Sequence, residues 1–324
     1  MLVSVLLFAV GLVLLIKGGD WFVDGATGIA KRFNLPDIVV GATVVSIGTT
    51  LPEVMVSTTG ALAGSGAMAY GNAIGSIICN TALIAAISIT CNPGPVNVKS
   101  MKTPAVFFFM SAALYCFASY ILGEFPRWMG FVMLGIFVVY MVLTVRNGMA
   151  NPDAAEEEEE GEQKERKLWQ ELLLLVVGAA VIAVGADLLV EHGQVIALGL
   201  GVPETVVALL FVALGTSLPE LVTTITSLRS GHASLGVGNV IGANVFNLVL
   251  VSGVAVSLAP FPVPMENELL NTGLNMSLVF EIPVMLGVMS LMIFPALATK
   301  KLGRWQGIAL LCIYAAFCVC QFVL

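Results

Sequence analysis

The sequence predicts an all-α membrane protein: ten transmembrane helices arranged as two inverted-topology repeats of five, with helices 2 and 7 broken inside the membrane. Three observations predict it. Of the 324 residues, 58% are hydrophobic and only 11% charged, and the mean hydropathy is +0.98; soluble domains carry about 25% charged residues. Apolar runs long enough to cross a bilayer, about 20 residues each, recur along the whole chain. One block of sequence also occurs twice at a constant spacing. This composition excludes a soluble globular enzyme, and the net charge of −7 argues against a nucleic-acid binder.

The predicted spans, in order, are 2–32, 37–62, 67–90, 104–122, 128–146, 170–195, 204–228, 234–259, 277–297 and 305–323. The first reads as a retained span, since no basic stretch precedes its apolar run and no small-residue cleavage site follows it. At 1.5 Å per residue it reaches ~46 Å, so it tilts strongly or projects from the bilayer. Residues 148–167 separate a first unit, 1–147, from a second, 168–324. Within that linker, residues 153–167 hold eight acids and three bases, −5 of the total −7. Such a run is solvated; its alternative, a calcium-binding tract, lacks EF-hand spacing. The six cysteines sit in or beside apolar runs without a CxxC and read as small core hydrophobes.

Basic residues set the orientation, because cytoplasmic loops are enriched in Lys and Arg. With the N-terminus outside, Lys31, Arg32, Lys99, Lys102, Arg146, Lys164, Arg166, Lys167, Arg229, Lys300, Lys301 and Arg304 fall on the cytoplasmic side, and only Arg127 falls opposite. Both termini are then extracellular or periplasmic, and the linker is cytoplasmic. A cell membrane is the expected location.

Gly48-Thr49-Thr50-Leu51-Pro52-Glu53 recurs as Gly215-Thr216-Ser217-Leu218-Pro219-Glu220, 167 positions on. Gly71-Asn72-Ala73-Ile74-Gly75-Ser76 recurs as Gly238-Asn239-Val240-Ile241-Gly242-Ala243, and Asn80 as Asn247, at the same offset. Asp20 and Asp187, Asp24 and Glu191, and Pro36 and Pro203 keep this register; Arg127-Trp128 matches Arg304-Trp305 at a larger one. Five spans per copy is an odd number, so the second copy enters the membrane from the opposite side. Inverted repeats with a midplane site are a transporter architecture.

Glu53 and Glu220 lie mid-span, where a carboxylate costs about 2.5–3.5 kcal/mol on insertion scales. Thr50-x-x-Glu53 and Ser217-x-x-Glu220 have capping-box spacing, and Pro52 deprives the Gly48 carbonyl of its donor. Cap and ion site can therefore be one device, with carbonyls around Ser46 to Thr49 and around Ala213 to Thr216 turned towards a cation. Asn72, Ser76 and Asn80 share one helical face, and Asn239, Ala243 and Asn247 repeat it with one hydroxyl missing; Asn72 and Asn239 read equally well as polar glue between helices. The donors are all oxygen, which suits hard cations such as Ca2+ or Na+ of similar size. Two bare carboxylates in low dielectric oppose the conformational switch, so the carrier crosses loaded, as an antiporter.

Carrying G-T-[ST]-L-P-E and G-N-x-I-G-[SA] twice, inverted, the chain resembles the sodium/calcium exchanger family of the cation/calcium exchanger superfamily, along its whole length. The resemblance implies ten spans and ion sites between spans 2, 3, 7 and 8. It implies Ca2+ at Glu53, Glu220 and the carbonyls of Thr49 and Thr216. It implies Na+ at Thr50, Ser217, Ser76, both glutamates and the carbonyls of Ser46 and Ala213, with Asn80 and Asn247 completing the centre. Spans 1 and 6 would slide across the core, with Gly18-Gly19 and Gly185-Ala186 as soft points. Ca2+ and Na+ are transported substrates; no organic cofactor and no obligate protein partner is expected beyond the lipid bilayer. Ala243 replaces a common Ser, which leaves the sodium count open, and Asn247 instead of Asp favours potassium independence. The runner-up is an H+/Ca2+ antiporter using the same carboxylate pair; a cation channel fits the inverted repeats less well. No enzymatic activity is expected, as HExxH is absent.

Overall fold

The computed structural model describes residues 2–150, 166–200, 215–264 and 275–323. Ten helical elements follow in order: α1 Leu2–Arg32, α2 Asp37–Leu62, α3 Gly66–Cys91, α4 Val98–Leu122, α5 Arg127–Met149, α6 Leu168–Gly199, α7 Leu218–Arg229, α8 Ala233–Leu258, α9 Ser277–Thr299 and α10 Arg304–Val323. All but α7 are long and apolar enough to span a membrane. The start of predicted span 7, Pro203, Ala213 and most of the predicted linker lie outside the described residues.

The charge pattern and the turn residues explain the ends. α1 closes on Lys31 and Arg32, where cations suit the carbonyl end of a helix, and Asn34 then adopts a left-handed conformation (φ 49°) before Pro36. Asn97 starts α4 by accepting from the amides of Lys99 and Ser100. Asn275 does the same at α9 for Ser277 and Leu278. Both caps obey the side-chain rule for helix starts.

Burial orders the bundle. In α8, 83% of the most apolar stretch is buried, against 22% in α1, 28% in α5 and 17% in α10; α8 is central and the others lie at the periphery. α1 packs antiparallel along α6 through glycines: a Cβ on Gly11 would stand 2.9 Å from the Gly185 carbonyl, and one on Gly178 would stand 2.9 Å from the Gly18 carbonyl. The predicted soft points Gly18 and Gly185 are thus close helix contacts, and both lie inside unbroken helices.

Four two-residue strands tie the loops: β1 Gly94–Pro95 pairs with β4 Lys301–Leu302, and β2 Glu124–Phe125 with β3 Phe261–Pro262, both antiparallel. Each clip crosses between repeats, and they sit at opposite ends of α4. Beside them, Arg304 donates to the Thr90 carbonyl at 3.0 Å and Arg127 to the Leu258 carbonyl at 3.1 Å. The Arg-Trp correspondence seen in the sequence is therefore a pair of equivalent loop anchors, related by the inverted repeat.

The interruptions of α2 and α7 differ in form from the expected caps. α2 has a wide π-helical turn at Gly41–Val45, then a continuous Ser46–Leu62 helix containing Pro52. α7 starts at Leu218 after a turn at Thr216-Ser217, with Pro219 in its first turn, where proline is tolerated. No side-chain cap bond forms at Ser217, and Thr50 sits inside its helix, so the capping-box reading is corrected in both copies. Wide turns also begin at Asn80 and Asn247, symmetry-related positions on α3 and α8. Such turns favour functional sites.

Candidate functional site

Helices α2, α3, α7 and α8 meet at the middle of the bundle, and they bring the predicted residues to one place. Glu53 on α2 and Glu220 in the first turn of α7 are both 0% exposed and interact electrostatically with one another. Thr49 and Thr50 approach Glu220 from α2. Thr50, Asn80, Asn247 and Ser217 are buried around them, and Ser76 lies one turn before Asn80 at 4% exposure. Its counterpart Ala243 is fully buried and has no side-chain oxygen.

Among the described residues, ten polar atoms here have no hydrogen-bond partner: Thr50 Oγ1, both carboxylate oxygens of Glu53, both amide atoms of Asn80, and their counterparts on Ser217, Glu220 and Asn247. Buried polar groups are almost always satisfied, and a buried carboxylate without a counter-charge is strongly unfavourable. None of the described ion pairs involves Glu53 or Glu220. The arrangement is a symmetric cage of oxygen and amide groups around two carboxyl groups, a donor set of the kind that suits hard cations.

Asn72 and Asn239, read in the sequence as glue, do hold helices together. Asn239 on α8 accepts from Thr49 at 3.2 Å and donates to the Thr223 hydroxyl at 2.9 Å, bridging α2 and α7. Asn72 on α3 donates to Ser57 at 2.9 Å and to the Glu53 carbonyl at 3.3 Å, and accepts from Thr216 at 3.4 Å. The Thr49–Asn239 and Thr216–Asn72 contacts are symmetry equivalents. Of the predicted carbonyl donors, that of Ala213 lies outside the described residues. Thr49 and Ser46 stand within a continuous helix, where Pro52 leaves the Gly48 carbonyl without its usual amide donor.

Sequence reasoning missed a polar stripe. Thr223, Thr224 and Ser227 follow Glu220 on one face of α7, all buried, with the Thr224 and Ser227 hydroxyls unpartnered. The spacing i, i+3, i+4, i+7 from Glu220 was the signal available. Also missed was a buried cluster beside the centre, in which Asn244 donates to Thr81 at 2.7 Å and approaches the Met289 sulfur at 3.1 Å.

The sequence profile described as "Sodium/calcium exchanger protein" matches residues 3–146 and 171–323. A protein of Methanosarcina acetivorans named sodium/calcium exchanger MaX1 is 30% identical, with 99% of each chain covered. An uncharacterized membrane protein of Methanocaldococcus jannaschii is 34% identical over 95% of this chain and 94% of its own. Among solved structures, the sodium-calcium exchanger NCX_Mj soaked with Na+ and Sr2+ superposes with a TM-score of 0.79 at 32% identity, covering 97% of each chain.

Proposed function

Because the chain belongs to the sodium/calcium exchanger protein family, we propose that it exchanges Na+ for Ca2+ across a cell membrane by alternating access, with Glu53 and Glu220 as the shared cation ligands. The observation that carries this reading is the set of ten unpartnered, buried oxygen and amide atoms in three symmetric residue pairs. In low dielectric, two carboxylates side by side repel, so the cage needs positive charge before the bundle can rearrange. One Ca2+ neutralises both; several Na+ do the same. Glu53, Glu220 and the carbonyls of Thr49 and Thr216 take Ca2+. Thr50, Ser217, Ser76, both glutamates and the carbonyls of Ser46 and Ala213 serve Na+, with Asn80 and Asn247 completing the centre. Three Na+ against one Ca2+ would move one net charge per cycle.

The domain scheme is part of the same proposal: five helices in 1–147, a cytoplasmic acidic linker at 148–167, and five inverted helices in 168–324, with both termini on the outer side. The Lys and Arg distribution supports that orientation. The test is direct. Purified protein in liposomes preloaded with Na+ takes up radiolabelled Ca2+ when external Na+ is removed. Uptake driven only by a proton gradient would overturn the choice of counter-ion, and flux without any counter-ion would indicate a channel.

A further inference from the structure

The end of the bundle at which α2 starts is held by polar ties that the second repeat's sequence does not supply in full. The first half of α2, from Asp37 to Ser46, is pinned by three polar ties. At its start, the Asp37 carboxylate lies 2.7 Å from the ring Nδ1 of His232 at the head of α8, with both side chains largely buried. At its wide turn, the Tyr140 hydroxyl on α5 donates to the Ala42 carbonyl at 2.7 Å. At its end, the Ser46 hydroxyl sits 2.8 Å from the Gly41 carbonyl, 3.0 Å from the Asn239 carbonyl and 3.2 Å from Asn239 Oδ1, sharing its one proton among them.

The inverted repeat assigns each tie a counterpart. At the 167 offset, His232 corresponds to Ser65 and Ser46 to Ala213; at the 177 offset that relates Arg127 to Arg304, Tyr140 corresponds to Phe317. Alanine and phenylalanine have no side-chain hydroxyl, so two of the three ties have no equivalent in the second repeat, and Ser65 lacks the imidazole of the third. The one described link of matching kind there, Thr216 to Asn72, is long at 3.4 Å.

We propose that Asp37–His232, Tyr140–Ala42 and Ser46–Asn239 form a one-sided latch that holds the first half of α2 shut, so that the carrier rests closed at that end and opens more readily at the other. This inference rests on the alternating-access reading above. In the proposed orientation the latched end is cytoplasmic. A carrier whose cytoplasm-open state is scarce binds cytoplasmic ion with an apparent affinity reduced by that scarcity. Each tie removed should restore population by about two- to tenfold, the range set by one net hydrogen bond.

The test replaces each member with the residue at its counterpart: Tyr140→Phe, Ser46→Ala and His232→Ser, singly and together. The KM for Ca2+ is measured from each face, in vesicles of defined sidedness. The ratio of cytoplasmic to external KM should fall about two- to tenfold for a single variant and further for the triple. Asn72→Ala, which loosens the opposite end, should raise that ratio. Hydrogen exchange of residues 37–46 gives a readout independent of transport and should speed up in the triple variant. An unchanged ratio with unchanged exchange overturns the latch. So does a fall in the ratio on Asn72→Ala, since that means general loosening. Wild-type protein that moves no Ca2+ defeats the proposed function, while the exchange experiment still decides the latch.

Discussion

α3 and α8 carry the same motif, yet they live in different surroundings. Gly238 and Gly242 on α8 are jammed against the first half of α2: an added Cβ would stand 2.2 Å from the Ile38 carbonyl and 2.6 Å from the Ala42 Cα, respectively. Their counterparts on α3 are Gly71 and Gly75. Gly71 is exposed and Gly75 half-buried, and among the described residues nothing lies within 4 Å of a Cβ built on either. Asn239 is fully buried, whereas Asn72 is half-buried. Among the described residues, the motif is thus packed against a neighbouring helix in one repeat and meets no close neighbour in the other. Repeats of equal sequence and unequal packing are what a carrier needs in order to exchange its two ends.

The largest expected effect tests where the repeats must be equal. Glu53→Gln and Glu220→Gln should each reduce Na+-driven Ca2+ uptake to background while the circular dichroism spectrum stays unchanged. Loss in only one of them would break the symmetry of the site. Next comes the packing contrast. Gly238→Ala forces its methyl into the α2 backbone and should destabilise the protein by about 1–3 kcal/mol, the range for overpacking, visible as a lowered Tm. Gly71→Ala should change Tm by less than half as much; equal losses would remove the contrast. A smaller effect follows at Ala243, where Ser would restore the oxygen that Ser76 supplies on α3. This should raise apparent Na+ affinity or the sodium Hill slope, and unchanged values of both would count against a sodium site there. The smallest concerns the loop anchors. Arg127→Ala and Arg304→Ala remove equivalent exposed bonds to carbonyls and should each lower stability by about 0.5–1 kcal/mol. Thermal melts of the two variants should agree.

Much of this was legible before any coordinates. Hydropathy located the spans because a bilayer leaves few alternatives to a long apolar helix, and the 167 offset paired Glu53 with Glu220 and Asn80 with Asn247. Mid-span carboxylates and amides advertise their purpose through the free energy needed to place them. The details of backbone hydrogen bonding were hidden. Thr50-x-x-Glu53 has the spacing of a cap, but a cap needs a helix start, and α2 runs through Pro52 without one. Wide turns at Gly41 and Asn80 leave no compositional mark. Gly18 and Gly185 read as flexible because glycine has conformational freedom, but here its lack of a side chain is what counts, letting two helices touch backbone to backbone. The latch was invisible for another reason: a tie between Tyr140 and a carbonyl on α2 needs tertiary structure to bring them together.

The strand clips carry a mechanical consequence. β1 with β4 and β2 with β3 stitch each repeat to the other at opposite ends of α4, so the two halves of the chain are not two separate lobes. A scissor motion about residues 148–167 would tear both stitches at once. In the alternating-access reading proposed above, the helices they join would act as a stator, leaving the working stroke to parts they do not tie, such as the α1–α6 pair. Because those two helices meet glycine against backbone, they would travel as one rod in that reading. A single rod sliding past a fixed frame uncovers one port as it covers the other, which is how such a machine avoids a leak.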